Sequence, residues 1–315
     1  MCKQPLVSII IPVYNGANYL QNAIDSALNQ TYENIEIIVV NDGSNDDGET
    51  EKIAFSYGNK IRYFCKENGG VSTALNLGIS KMKGEYFSWL SHDDMYLPNK
   101  IKCQIDALAS FEKTTLCLCD TQQVDKTGSV IKKAKKAKKY TCGLNQWHDA
   151  LNIILGYGAC NGCALLIPKI VFDDVGGFDE TLRYSQDALM WMKIFLNKYD
   201  LVYVNETGVS SRVHNGQLTQ TGRALFHSDS EKISKQIIPK IVSENYSKKL
   251  LYSYAYHNAI LNNKAVVKNC LLASKKSKTL SKWQRMKIKI VSFYGAIRPV
   301  IRKCYYKAFR KIKTT

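Results

Sequence analysis

Three short polar segments, each directly after an apolar run, hold side chains suited to binding chemistry. The apolar runs cover residues 6–11, 35–40 and 86–90, and the segments after them are Pro12-Val13-Tyr14-Asn15, Asn41-Asp42-Gly43-Ser44 and Ser91-His92-Asp93-Asp94. Carboxylates in such segments accept strong hydrogen bonds and bind hard divalent cations. Each segment alone is an ordinary turn sequence. Three such segments together at one edge of a sheet are much less expected by chance than any one of them alone.

The elements between these segments predict that placement. Further apolar runs at 61–65 and 116–119 also resemble buried strands, and apolar residues recur at helical spacing after Leu20, Val71 and Pro98. This alternation of strand and helix predicts a mainly parallel, doubly wound sheet. Ligands of such sheets bind beyond the carboxyl ends of the strands, where the three segments would lie.

The ordered motifs resemble the signature of family 2 glycosyltransferases, which are inverting enzymes of the GT-A fold. The matching segments are Val7-Ser8-Ile9-Ile10-Ile11-Pro12-Val13-Tyr14-Asn15-Gly16, Asn41-Asp42-Gly43-Ser44-Asn45-Asp46-Asp47, Asn68-Gly69-Gly70-Val71-Ser72 and Ala74-Leu75-Asn76-Leu77-Gly78. The resemblance covers about residues 5 to 215. It implies an α/β, Rossmann-like GT-A sheet, mostly parallel and flanked by helices. It also implies sugar transfer from a nucleotide diphosphate sugar, with uridine favoured by family frequency.

The resemblance further implies a nucleotide-sugar site. Its residues are Pro12, Tyr14, Asn15, Asp42, Asn68, Gly70, Asn76, Ser91 and His92. Tyr14 would flank the base, and Asp42 would accept a hydrogen bond from it. The donor pocket would be lined by Asn68, Gly70 and Asn76. For Asp42 and Asn68, a turn or a helix cap is the simpler alternative.

A divalent cation, Mn²⁺ or Mg²⁺, is implied by an Asp-x-Asp motif that the family carries after the fourth strand. Here Ser91 replaces the first Asp, while Asp93 is retained beside Asp94. We expect Asp93 and Asp94 to hold the metal. His214 would border the diphosphate and metal, or be an ordinary loop histidine. Ser91 would reach the ribose or a phosphate, and His92 would touch a phosphate or only fill the variable position.

Asp187 matches the Asp of a Glu-Asp pair that, in this family, takes the proton of the acceptor hydroxyl. Gln186 stands where the family has Glu. Apolar residues at helical spacing from Ala188 to Phe195 place Asp187 in the first turn of a helix. Acidic residues favour that turn for helix-dipole reasons alone. The upstream Gly176-Gly177-Phe178-Asp179-Glu180 matches the loop that precedes the base and favours the catalytic role.

Positive charge is concentrated near the C-terminus. The formal net charge is +17, and residues 247–315 contain 18 Lys or Arg but no Asp or Glu. We therefore predict a glycosyltransferase domain at 1–223 and a helical, strongly basic region at 224–315. Between 282 and 313 apolar residues recur mostly three or four apart, among them Trp283, Met286, Ile290 and Phe293. This pattern is typical of a helix on an anionic membrane surface, or of one packed on the catalytic domain. No nucleic-acid module accompanies the charge, so nucleic acid is not an expected partner.

The sequence also predicts a cellular location and an acceptor, and it leaves two alternative functions open. We find no secretory signal, and ten cysteines then indicate reduced thiols in a cytoplasmic protein, peripheral on the inner face of the plasma membrane if the basic region binds lipid. The acceptor would be a glycan or a lipid-linked glycan in cell-surface polysaccharide synthesis. A sugar nucleotidyltransferase is the second enzymatic alternative. It would need a glycine-rich basic phosphate loop near the start, and Pro12-Val13-Tyr14-Asn15-Gly16 is not one. An inactive scaffold is suggested by Ser91 and Gln186, but retained Asp93 and Asp187 argue against it.

Overall fold

The computed structural model describes residues 4–133, 140–158, 160–214, 217 and 223–295. The chain divides into two compact units. One, the sheet unit, comprises 1–150 and 159–223, and the other, the helical unit, comprises 151–158 and 224–315.

The sheet unit carries ten strands in its described residues. They are β1 (Val7–Val13), β2 (Ile35–Asn41), β3 (Arg62–Cys65), β4 (Tyr86–Trp89), β5 (Met95–Tyr96), β6 (Leu116–Val124), β7 (Val130–Lys132), β8 (Gly143–Asn145), β9 (Leu165–Pro168) and β10 (Leu201–Arg212). The helices up to residue 196 are α1 (Leu20–Leu28), α2 (Glu49–Ser56), α3 (Val71–Lys81), α4 (Lys100–Leu108), α5 (Trp147–Tyr157), α6 (Ile170–Val175) and α7 (Gln186–Leu196). From Leu151 onward α5 belongs to the helical unit. The predicted α/β alternation is confirmed.

The strand order is β3-β2-β1-β4-β9-β6-β10-β5, with β7 on β6 and β8 on β10. Strands β3, β2, β1 and β4 are parallel, as predicted. Strand β9, which lies between β4 and β6, is antiparallel to both. Beyond it, β10 runs parallel to β6. This antiparallel strand joins the two parallel parts into one sheet.

Strand β1 lies inside the sheet, between β2 and β4, and is apolar on both faces. All seven of its residues are buried, which is expected of a parallel strand covered on both sides. Gly78 of α3 lies directly on it, since a Cβ at this position would be 2.4 Å from Ile10 Cγ2. This close approach fixes α3 against β1, and with it the loop that leads into α3.

The helical unit contains α8 (Arg223–Ser243), α9 (Ser247–Ile260), α10 (Lys264–Ser277) and α11 (residues 282–295). Its core includes Leu251 of α9, Val266 of α10 and Ile288 of α11, all fully buried. The predicted C-terminal helices are thus confirmed, and the pattern predicted beyond residue 295 lies outside the described residues. Among the helices that the structure describes, none combines the length and apolar character that a membrane span needs.

Lys100, at the start of α4, is buried below the carboxyl edge of the sheet. It is 2 % exposed, and its Nζ donates to Ser88 Oγ at 2.8 Å and lies 4.2 Å from the centroid of the Tyr96 ring. Burial lowers the pKa of Lys100 from 10.5 to about 8. The folded protein therefore releases this proton at a lower pH than the unfolded chain does.

We expect the stability of the native sequence, relative to a Lys100→Met variant, to rise between about pH 8 and 10.5. In that window the unfolded lysine keeps its proton while the folded one loses it, which favours folding by up to about 3 kcal/mol. Urea unfolding of both proteins at the two ends of the window measures the difference, since other titrating groups cancel in the comparison. A difference that stays constant with pH would show that Lys100 is not desolvated.

Candidate functional site

The loops after β1 and β2 are joined side by side at the carboxyl edge of the sheet. Val13 pairs with Asn41 at the ends of the strands. The amide of Asn15 donates to Asn45 Oδ1 at 2.7 Å and accepts from the Asn45 N–H at 2.8 Å. Asn15 has a positive φ of 48°, which Asn tolerates better than most residues. These bonds fix the position of Tyr14, whose ring is 44 % exposed.

Asp42 holds the loop that begins α3. Asp42 is 3 % exposed, and its carboxylate accepts from Lys66 Nζ at 2.6 Å and from the backbone N–H groups of Gly69 and Gly70 at 3.0 and 2.7 Å. The Thr73 hydroxyl also donates to it, at 3.4 Å. Gly70 has a φ of 93°, which glycine adopts without strain. Predicted to meet a base, Asp42 thus has four donors from its own chain, of which Lys66 was not anticipated. Asn68 lies exposed in the same loop.

Asn76 connects α3 to the loop that leads toward α7. Its Oδ1 accepts from the Phe178 N–H at 2.8 Å, and its Nδ2 donates to Phe178 O at 3.0 Å and Glu180 Oε1 at 2.8 Å. In the same region, Arg183 donates to Gly69 O at 2.9 Å. Asn76, which we predicted to line the donor pocket, thus positions the loop before Asp187. Arg183 and Lys66 are not motif positions. The only sequence signal for them is a positive charge next to a motif.

Asp93 and His214 lie together although they are 121 positions apart. His214 Nε2 is 3.0 Å from Asp93 Oδ2. The His214 ring is also 5.2 Å from the ring of Tyr19. Arg212 supports the turn, because its Nε donates to Asp93 O at 3.0 Å and its guanidinium lies 4.3 Å from the Tyr19 centroid. Of the two roles left open for His214, this geometry favours the one beside Asp93.

Asp94 has a different environment from its neighbour Asp93. Its carboxylate is buried and accepts from the Arg212 N–H at 2.9 Å. Burial, aided by the charge of Asp93, raises the pKa of Asp94 to about 7. The structure therefore gives Asp94, predicted as a metal ligand, a structural bond to β10.

The residues present fit a cation that shares its ligands with a substrate. No group of three or more His, Cys, Asp or Glu side chains placed to hold a metal occurs within the described ranges. Asp93 and His214 form a pair, which suits an ion that completes its coordination with diphosphate oxygens and water, as Mg²⁺ commonly does. The two side chains would therefore supply only part of the ligands of a cation.

The turn before Asp93 is held from below by a buried thiol. The Ser91 N–H donates to Cys163 Sγ at 3.3 Å, and Ser91 Oγ lies 3.5 Å from the same sulfur. His92 packs over Gly16, where a Cβ would be 2.7 Å from His92 Cδ2, and burial lowers the pKa of His92. Pro12 is buried within β1 and contributes to the strand rather than to an exposed surface.

Asp187 lies in the first turn of α7, as its spacing predicted. It is half-buried, its Oδ1 accepts from the Ala188 N–H at 2.7 Å, and burial raises its pKa to about 6. Gln186 is 5 % exposed, and its side-chain oxygen has no hydrogen-bond partner in the described part of the chain. A carboxylate with this pKa is ionised at neutral pH yet basic enough to accept a proton.

Known proteins share both the sequence and the fold. Residues 8–157 match the family model described as glycosyl transferase family 2. An uncharacterized glycosyltransferase of Rickettsia typhi is 49 % identical over 240 residues, covering 74 % of each chain. Another from Rickettsia bellii is 48 % identical over 254 residues, which span 77 % of this chain but 36 % of that longer protein. The crystal structure of S. aureus TarS 1-349 superposes with a TM-score of 0.70 at 16 % identity, covering 94 % of this chain and 91 % of that one.

The family match and the fold thus define a glycosyltransferase with a GT-A sheet. The chain belongs to glycosyltransferase family 2. Both statements confirm what the ordered motifs predicted.

Proposed function

We propose that the protein is an inverting, metal-dependent transferase that moves a sugar from a UDP-sugar to a hydroxyl of a glycan or lipid-linked acceptor in cell-surface polysaccharide synthesis. The observation that carries the proposal is the Asp93–His214 pair at the carboxyl edge of the sheet, where ligands of such folds bind. A UDP donor is supported by crystal structures of the related TarS with UDP and with UDP-GlcNAc.

The nucleotide would bind between Tyr14 and the loop that Asp42 holds. The exposed Tyr14 ring offers a flat surface for a base. Asp42 Oδ1 accepts from Lys66, Gly69 and Thr73. Among the hydrogen bonds of the described residues, Oδ2 accepts only from Gly70. A carboxylate oxygen has two acceptor sites. Asp42 therefore retains the capacity to accept one bond from the base while it shapes the loop.

The diphosphate would lie at Asp93 and His214. Mn²⁺ or Mg²⁺ bound there would offset the charge that the diphosphate gains as it departs. Arg212 holds the backbone of Asp93, and Asp94 fixes the turn to β10. These contacts keep the Asp93 carboxylate and the His214 ring in place without further reorganisation.

Asp187 would take the proton of the acceptor hydroxyl as the hydroxyl oxygen attacks the sugar opposite the diphosphate. One such displacement inverts the anomeric configuration. A covalent intermediate on the nearby Cys160 is disfavoured, because burial and the charge of Asp187 raise the pKa of that thiol to about 12 and keep it protonated. The proposed transfer reaction therefore uses one base, Asp187, and one nucleophile, the acceptor hydroxyl.

Incubation with a panel of nucleotide-sugars tests the proposal. We expect nucleotide diphosphate release from one uridine donor with Mn²⁺ or Mg²⁺, loss of release with EDTA, and recovery when the metal is restored. NMR of the product should show the inverted anomer. Release that is unaffected by EDTA would contradict the metal dependence, a retained anomer would contradict the single displacement, and no release with any donor, metal or acceptor would contradict the transferase proposal.

We further propose that the protein works in the cytoplasm at the inner face of the plasma membrane. The acid-free basic region supports this location.

A further inference from the structure

Helix α11 packs on its own unit with one face and exposes apolar side chains on the opposite face. Ile288 is fully buried. The residues of the exposed face, here called the α11 stripe, are Trp283 (62 % exposed), Met286 (54 %), Ile290 (48 %), Phe293 (65 %) and Tyr294 (66 %). At about 100° per residue, Met286 and Ile290 point nearly opposite to Ile288. The stripe is therefore additional to the packing face.

Lysines flank the α11 stripe on both sides. Lys282 and Lys289 fall along one border by helical geometry, and Lys287 falls along the other. Lys287 Nζ lies 5.3 Å from the Trp283 ring centroid. Long basic side chains beside an apolar face can keep their charge in water or on phosphates while their stems cover apolar surface.

A lysine-lined groove borders the same helix. Lys264, Lys268 and Lys275 of α10 and Lys289 of α11 surround a cavity of about 290 Å³. Its floor is apolar and includes Val267 and Leu271. Residues 247 to 315 contain no Asp or Glu. Glu231 of α8 interacts electrostatically with Lys268 and offsets part of its charge. The groove therefore favours an anionic partner with some apolar character.

We propose that the α11 stripe and the lysine groove together bind the surface of an anionic phospholipid membrane. The stripe enters the headgroup region, and the lysines contact lipid phosphates. A nucleic acid would satisfy the lysines but leave Met286, Ile290 and Phe293 in water. A second copy of the chain would cover the stripe but bring like charges together. Only a phosphate-bearing apolar surface satisfies both features.

This surface lies within the helical unit and involves no residue of the candidate active site. Membrane binding is therefore independent of the proposed transfer reaction, and each can fail alone. It extends the proposed function by naming the residues that bring the enzyme to a lipid-linked acceptor.

Flotation of the full chain with vesicles tests the proposal. We expect binding to phosphatidylcholine–phosphatidylglycerol vesicles, much weaker binding to phosphatidylcholine alone, and a blue shift of Trp283 fluorescence on binding. The variant Trp283→Ser/Ile290→Ser/Phe293→Ser should bind at least about tenfold more weakly. Phe55→Ser on α2 is the matched control, because Phe55 is 60 % exposed and lies in the sheet unit. It should bind as the native sequence does.

A charge variant separates the groove from the stripe. Lys268→Gln/Lys275→Gln/Lys289→Gln should weaken binding to the anionic vesicles about a hundredfold and reduce its salt dependence. Circular dichroism and thermal unfolding establish that each variant folds. Unchanged binding by either triple variant would overturn the proposal. So would equal binding to neutral vesicles, RNA binding without vesicle binding, or a dimer that the stripe variant disrupts when no vesicles bind.

Discussion

Replacing Asp187 with asparagine is expected to lower kcat for sugar transfer about a thousandfold while the nucleotide-sugar binds as before. Asparagine has nearly the same shape as aspartate but cannot take the hydroxyl proton. In the native sequence, kcat/KM should fall tenfold per pH unit below about pH 6, because burial raises the pKa of Asp187 to that value and the protonated form is not a base. Initial rates across pH and calorimetric donor binding measure both effects.

Asp173→Asn is the matched control for this experiment. Asp173 also lies in the first turn of a helix, α6, but is exposed. If Asp187 were present only to complement the helix dipole, the two substitutions would have similar, small effects. Transfer by Asp187→Asn at a rate near that of the native sequence would therefore refute the base assignment.

The same substitution should stabilise the protein at neutral pH. The folded pKa of Asp187 is raised above its ordinary 3.8, so the native sequence loses stability as pH rises from about 4 to 6. Asparagine removes that loss. Thermal unfolding at pH 7 should thus give a higher Tm for Asp187→Asn, and a lower Tm would indicate that the carboxylate has a stabilising partner.

Asp93→Asn is expected to weaken Mn²⁺ binding in the presence of UDP about a hundredfold and to lower kcat/KM by at least as much. The carboxylate supplies the charge of the two-residue site, and an amide does not. Asp94→Asn should leave Mn²⁺ affinity within about threefold of the native value, because an amide oxygen can still accept from the Arg212 N–H. Electron paramagnetic resonance of bound Mn²⁺ gives both affinities without an activity assay.

The pair of variants distinguishes two adjacent carboxylates that the sequence treats alike. If Asp94→Asn weakened Mn²⁺ binding more than Asp93→Asn did, the roles inferred from burial would be reversed. If both variants lost Mn²⁺ affinity strongly and to the same extent, both carboxylates would be metal ligands, as the motif predicted.

Much of the sheet unit follows from local sequence. Continuous apolar runs such as β1 are stable only where both faces are covered, and strands that alternate with helices meet this need in a mainly parallel sheet with helices on each side. Strand and helix alternation then sends the segments after β1, β2 and β4 to one edge. Local spacing also placed Asp187 in the first turn of α7. Each of these features depends on residues that are close together in the chain, so each can be predicted from the sequence.

Contacts between distant segments did not follow from the sequence. The antiparallel insertion of β9 between β4 and β6 has no local signal, because an apolar run is the same in either direction. Asp42 and Asn76 could be recognised as motif residues, but their partners Lys66 and Phe178 depend on how two loops meet. The pairing of Asp93 with His214 likewise depends on β10 ending beside the turn after β4.

The sequence by itself thus determined the fold class and the family, because periodicity and motif order are local, and it predicted the edge of the sheet where chemistry would occur. The tertiary structure decided which of the predicted side chains are accessible to a ligand and which are buried in contacts within the protein. Burial separates Asp93 from Asp94, which composition cannot do. In α11 the apolar spacing identified a face but not its surroundings. Packing through Ile288 leaves Trp283 and its neighbours exposed, because a helix can bury only the side that its unit covers.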